Sequence, residues 1–555
     1  LIANEPTVVD PTGLAWDANG QLYVCELHGY NLEGHIDITE LNKTGELDRE
    51  VRRIEAEDWA KQAAEPGIYG TIKRLIDGDG DGHMETAVIF ADRLPPCYGI
   101  IPSRDGVIVT CAPHILFLAD RDGDGKAEVR ETLFTGFGRG KLERGINNPR
   151  LSFDNWIYVS HGGGGKITGP ALKGTVQLGN TDFRFRADGS AIEPVTGVNN
   201  TFGATMTDYG QRFLITGGGH ALYATPLPYR YLLRNPYVAS PRSTMNAANY
   251  SQVYPASQPH PWRQKRGDDP NWVRFYGAHE AKPNGNFTSA CGQLIYRAAQ
   301  FPDEYRDNHF SCDPQQNLIH RCFVTREGTE YRVRRANPDQ QTEFLSSTDG
   351  WFRPNNLQIG PDGSIFIVDM YREIIEDYSA IPRFLQQQYG LDQGNDRGRL
   401  WKLTWQNAEH TGTPKLSSAT DGELVELLDH TDAWWRLTAQ RLLRERSPLT
   451  NGQELREFIA RAKSWQGQLH ALYLLKELQL LRPTDVVVAL KSPHFGLRIH
   501  GLRLSEPWLA DDSELFSSVI RLQDDPDAHV RLQLALSLGQ AGNAQAIATL
   551  VKLAQ

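Results

Sequence analysis

The sequence has no unbroken run of about 18 apolar residues, so nothing in it reads as a membrane-spanning helix. It has no long basic block, and its formal net charge is −10. Nucleic-acid binding needs a basic face, so that class of partner is excluded. Its six cysteines, Cys25, Cys97, Cys111, Cys291, Cys312 and Cys322, form no CxxC pair. That removes a zinc ribbon and a c-type haem attachment site. Neither a GxSxG nucleophile elbow nor a GxxxxGK[ST] phosphate loop occurs. The cysteines could close three disulfides or remain buried free thiols, and the sequence leaves both open.

What is present points to a turn-rich β fold. The 555 residues include 51 glycines and 31 prolines, with 40% hydrophobic residues to fill an interior. One pattern recurs along the chain: an apolar strand, a Gly/Asp/Asn turn, then a second apolar strand. It reads GLAWDANGQLYVCEL from Gly13, GIIPSRDGVIVTCAP from Gly99 and PRLSFDNWIYVSHGG from Pro149. It returns as GATMTDYGQRFLITG from Gly203 and NLQIGPDGSIFIVDM from Asn356, with a looser copy near Cys291. Six such hairpins predict a six-bladed β-propeller over residues 1–405, with insertions at about 29–70 and 226–286. From 420 to 555 the apolar period changes to about 3.6, and related helical pairs carry Arg-bearing helices. This predicts an α-helical, HEAT-like solenoid, whose usual role is an interaction surface. A chain that opens on Leu1 is expected to be a trimmed mature form, and the array is expected to continue past Gln555.

Two loops share one spacing. Asp77, Asp79, Asp81 and Glu85 alternate with glycines, and Asp120, Asp122, Asp124 and Glu128 repeat the arrangement. Alternating carboxylates with a glycine at the sharp turn suit a hard cation with oxygen ligands, so both loops predict calcium. Each follows an apolar strand, TIKRLI or HILFLA, which places it on a blade hairpin in a structural role. Glu131 occupies the twelfth loop position of the second copy only. Such calcium loops tilt the expected location to the periplasm or outside the cell.

Propeller geometry brings together the residues just before each first strand and just after each second strand. Here these are Glu26, His28, Tyr98, His114, Arg144, Asn147, Asn148, His161, Asn200, His220, Arg353, Asn355, Asp369, Tyr371 and Arg372. His161 and His220 adjoin glycine runs that let a ligand approach the backbone, and either would serve as a base. Arg144, Arg353 and Arg372, with Asn148, Asn355, Asp369 and Tyr371, are the expected cofactor contacts, since guanidinium groups clamp carboxylates.

Three segments carry a resemblance: Trp351 to Glu376, Phe287 to Arg321, and Leu227 to Pro241. Their wording resembles the family of planctomycete-type membrane-bound dehydrogenases, which is of the PVC-type haem-binding kind. That family joins a glucose/sorbosone dehydrogenase-like propeller to HEAT-like repeats and often a c-type haem domain. The resemblance implies an extracytoplasmic, PQQ-type sugar or polyol dehydrogenase that passes electrons to a c-type cytochrome. This chain departs from it in having no CxxCH. It also has no His in Ile146 to Leu151, where soluble glucose dehydrogenases carry their base; His161 stands at the other end of that hairpin. Two other readings compete. One is a non-redox lyase or hydrolase acting on an acidic glycan, and the other is a non-catalytic glycan-binding scaffold. The 12 tryptophans and 20 tyrosines suit sugar stacking as well as blade packing.

Overall fold

A lone hairpin cannot bury both of its faces, so strand pairs of this kind persist only when widened into sheets and stacked. The computed structural model shows how this chain does both. It describes residues 1–28, 70–138, 145–160, 163–196, 201–216, 221–235, 237, 243–276, 281–282, 284–337, 339–375, 390–391, 393–406, 412–446 and 452–555. Six antiparallel sheets form a ring, with inner strands Pro11–Trp16, Gly99–Ser103, Asn147–Leu151, Ala204–Met206, Cys291–Ile295 and Pro354–Ile359. Each inner strand contacts the next, and the last contacts the first, so the expected six-bladed propeller is borne out. Blades are numbered here in that order. The loose repeat near Cys291 is blade 5, whose strands continue through His309–Asp313, Leu318–Glu327 and Glu330–Arg335.

Three features of the ring escaped the repeat pattern. The outermost strand of blade 6 is Ala3–Asn4, from the other end of the chain, paired with Arg399–Leu403. Blade 2 gains two strands, Gly165–Thr168 and Val176–Leu178, from a loop of blade 3. Blade 4 takes its fourth strand, Met245–Asn246, from within the 226–286 insertion. Aromatic pairs fill the seams between blades: Trp16 on Phe366 at 4.6 Å, Phe134 on Phe185 at 5.6 Å, and Phe213 on Tyr331 at 5.8 Å. Glycines sit where inner strands nearly touch. A Cβ on Gly99 would lie 2.2 Å from Pro149 Cδ, and one on Gly292 would lie 2.3 Å from Asn355 O.

Beyond Asp421, helical hairpins stack along Ala433–Arg446, Trp465–Glu477, Phe495–Ser505 and Ala528–Leu538. These helices lie across the ring on the side of the turns between first and second strands. All six turns are engaged. Leu416 N–H donates to Ala18 O, Glu445 accepts from Arg104 N–H, and Gln440 donates to Phe153 O. Arg436 pairs with Asp208 at 2.6 Å, Ala433 N–H donates to Arg297 O, and Trp435 donates to Pro361 O. Phe153 leaves blade 3 to join the helical core, edge-on to His470, Tyr473 and His500. One mouth of the central channel is therefore floored by helix.

Candidate functional site

The face opposite the helices carries the starts of the inner strands and the ends of the second strands. In blades 1, 3, 5 and 6 the pairing slips at this rim, between Pro11 and Gly13, Asn147 and Arg150, Cys291 and Leu294, and Pro354 and Asn356. A slip of this kind re-aims side chains and is common beside sites. Several of the released side chains stitch neighbouring blades. Asn355 and Asn356 Nδ2 donate to Pro11 O and Thr12 O, Thr12 Oγ1 to Cys97 O, and Asn148 Nδ2 to Ala204 O. Asn148 stands at φ 54°, and the Oδ1 atoms of both Asn148 and Asn355 are buried without a hydrogen bond among the described residues.

Of the residues expected to hold a cofactor, the charged ones among the described residues, Arg353, Asp369 and Arg372, are committed within the protein. Arg353 donates to Arg372 O, Pro314 O and Glu373 O, and burial lowers its pKa to about 10. Asp369 accepts from Arg353 N–H, Tyr371 N–H and Trp401 Nε1, and burial raises it to about 6. Arg372 is fully buried and pairs with Asp10 at 2.9 Å, tying blade 6 to blade 1. Tyr371 donates to Asp349 and lies 3.3 Å beneath the Arg399 guanidinium. Neither Arg353 nor Arg372 thus presents a guanidinium to a tricarboxylate such as PQQ, and these two do not fit as its clamp. His161, His220, Arg144 and Asn200 lie outside the described residues.

The arrangement that can do chemistry is at the end of blade 1. Glu26, fully buried, holds Val9 N–H and Lys73 Nζ on one oxygen, each at 2.9 Å. Its other oxygen takes His28 Nε2 at 2.9 Å. The His28 side chain is 32% exposed, and its Nδ1 makes no hydrogen bond among the described residues. A carboxylate that accepts from one ring nitrogen fixes the tautomer and leaves the other free to take a proton. Asp10 completes the cluster. Burial pushes its carboxyl up to about 7, against the pull of Arg372 and His28. The convergence rule reached both Glu26 and His28, but glycine neighbours drew attention to His161 and His220 instead.

A second polar cluster comes from the insertion. His260 Nε2 meets Glu373 at 2.9 Å, and Trp351 Nε1 meets the same carboxylate at 2.5 Å. His260 Nδ1 accepts from Trp262 N–H at 3.1 Å, so both ring nitrogens are occupied and the residue orients rather than reacts.

The acidic loops lie elsewhere. Each joins the third and fourth strands of its blade, at the outer rim on the helix-covered side. Ligand oxygens of Asp77, Asp79, Asp81 and Glu85 fall within 4.8 Å of one another, as do those of Asp120, Asp122 and Asp124. The two copies fold alike: Gly80 and Gly123 both sit at φ 81°, and the first aspartate accepts from two glycine N–H groups in each. Glu128 accepts from Arg121 N–H, outside the second group, and Glu131 pairs with Arg104. Each loop also touches the preceding blade, through Met84 N–H to Ile2 O and Ala127 N–H to Phe90 O. The oxygen-only donors fit calcium. All six cysteines are free.

Comparison with solved structures finds matches of low identity. A glucose dehydrogenase-type oxidoreductase from Thermus thermophilus is 13% identical, with TM-score 0.36, over 66% of this chain and 94% of its own. The PQQ-bound aldose sugar dehydrogenase of Streptomyces coelicolor is 15% identical, with TM-score 0.33, over 65% and 89%. Virginiamycin B lyase from Staphylococcus aureus is 10% identical, with TM-score 0.31, over 66% and 79%. Identities this low say nothing about substrate. No curated protein matches the chain. Residues 1–407 match a single family throughout, and the chain belongs to that family, the Domain of unknown function DUF7133.

Proposed function

We propose that the protein is an extracytoplasmic sugar or polyol dehydrogenase in which His28, oriented by Glu26, removes the proton from a substrate hydroxyl. The observation that carries this reading is the 2.9 Å contact between the buried Glu26 carboxylate and a partly exposed histidine on the face opposite the helices. A carbohydrate would enter there, because helices floor the other mouth. As the hydroxyl loses its proton, Glu26 stabilises the imidazolium that forms, with Lys73 balancing the carboxylate. Dehydrogenation also needs a hydride acceptor, which a bound quinone such as PQQ would supply. Because Arg353 and Arg372 are committed elsewhere, no step here is built on that cofactor. Calcium in the two rim loops would be structural, and a c-type cytochrome would receive the electrons. Membership of the planctomycete haem-binding family is part of the same proposal.

The test is to strip the purified chain with chelator, titrate it with calcium and PQQ, and follow dye reduction over a panel of sugars and polyols. Sugar-dependent reduction is expected, falling by about 10²–10⁴-fold in His28→Ala, the usual worth of a general base. No turnover with any sugar would sink the dehydrogenase. Release of unsaturated uronide from an acidic glycan would put a lyase in its place.

A further inference from the structure

The channel itself holds a second feature. Between the inner strands and the Ala433–Arg446 helix lies a chamber of about 150 Å³. Arg150, on the inner strand of blade 3, forms part of its wall. Its Nη1 donates to Gln358 Oε1, and its Nη2 donates to Leu357 O at 2.9 Å and Gln293 O at 3.3 Å. All three acceptors are neutral. Its Nε is buried with no hydrogen bond, and no carboxylate pairs with it among the described residues.

Arg297, from blade 5, borders the same chamber and has its Nε likewise without a partner among the described residues. Its ion pair is with Asp208 at 3.4 Å, and Asp208 is held more closely by Arg436 at 2.6 Å. Arg441, the third arginine in the wall, is balanced by Glu445 at 2.9 Å. Arg297 and Arg436 share Asp208, with Asp307 also acting on both, whereas Arg150 has no carboxylate among the described residues. Burial and the neighbouring Arg297 together pull Arg150 down to about 9. An uncompensated buried charge costs several kcal/mol, and a second like charge nearby adds to that. Trp434, Ile100 and Leu14 make much of the remaining wall apolar, so few waters can share the charge.

We propose that this chamber binds a compact inorganic anion, a halide or a tetrahedral oxyanion, between Arg150 and Arg297. The size of the chamber admits such an ion with a few waters, since one water needs roughly 10–15 Å³ of it. The anion would be a permanent core of the ring, remote from His28 and independent of the dehydrogenase reading.

Thermal unfolding of the full chain tests it. Ionic strength is held constant with the bulky HEPES anion while chloride or phosphate is raised separately. A saturable rise of about 1–3 °C is expected with one of the two, which identifies the ion. The rise should vanish in Arg150→Met and persist in Arg121→Gln, a control at an exposed pair. Without added anion, Arg150→Met should be at least as stable as the parent, since an unpaired buried cation has been removed. Chloride NMR on the unaltered protein covers the case in which the variant fails to fold. Broadening of the chloride line that excess bromide or phosphate reverses supports the site. Equal rises in all variants, or neither a salt-specific rise nor broadening, would overturn it.

Discussion

Asp10 sits at φ 46° with one carboxylate oxygen on Arg372 and the other without a hydrogen bond among the described residues. Burial raises its pKa from 3.8 to about 7. A carboxyl raised in the fold binds its proton more tightly there than in the unfolded chain. Its contribution to stability is complete below pH 3.8 and is lost as pH rises through about 7. Asp10→Asn should therefore flatten the fall in Tm across that window, read by calorimetry in steps of pH. At this scale the sequence was only partly legible. The convergence rule found Glu26, His28, Arg353 and Arg372 together, because propeller geometry fixes which positions meet. It could not show that Arg353 and Arg372 spend their donors on carbonyls and Asp10, since those partners are 19 to 362 residues away.

At the scale of the element, the two acidic loops were legible as a repeated spacing, because their carboxylates are local, although Glu128 falls outside the second group. Their attachment to the preceding blade was not, since it runs through backbone groups of Ile2 and Phe90. That attachment would give bound calcium a consequence beyond the loop. Removing it with a chelator should lower stability by about 2–4 kcal/mol per loop relative to millimolar free calcium. Asp77→Asn and Asp120→Asn should each forfeit about half of the response, measured as the chelator-induced change in urea midpoint. Unchanged midpoints would mean solvated turns without metal. The slipped pairing at the rim also stayed hidden, since a bulge is a matter of register and leaves the apolar alternation almost intact.

At the scale of the molecule, the change of period near residue 405 showed that helices follow strands, but gave no sign of where they lie. The answer turns on a few buried contacts: Phe153 among His470, Tyr473 and His500, and Asp208 beneath Arg436. None of these stands out in the sequence, where Phe153 is one apolar residue in a turn. Because Phe153 is a propeller residue in the helical core, the two parts should unfold as one. Phe153→Ala should cost about 3–5 kcal/mol and split the single denaturation transition into two, followed by near-UV circular dichroism against helix content.

The strand Ala3–Asn4 waits for Arg399–Leu403. During synthesis, these two residues emerge nearly four hundred positions ahead of their partner. Until then the growing chain is an open arc of blades with an unpaired edge at each end, which is the form most prone to pairing with a neighbouring copy. Ring closure is thus an event in time as well as in space. Slow delivery of the chain would call for a chaperone to shield those edges, and a bulky group placed just before Ala3 would hinder the final latch.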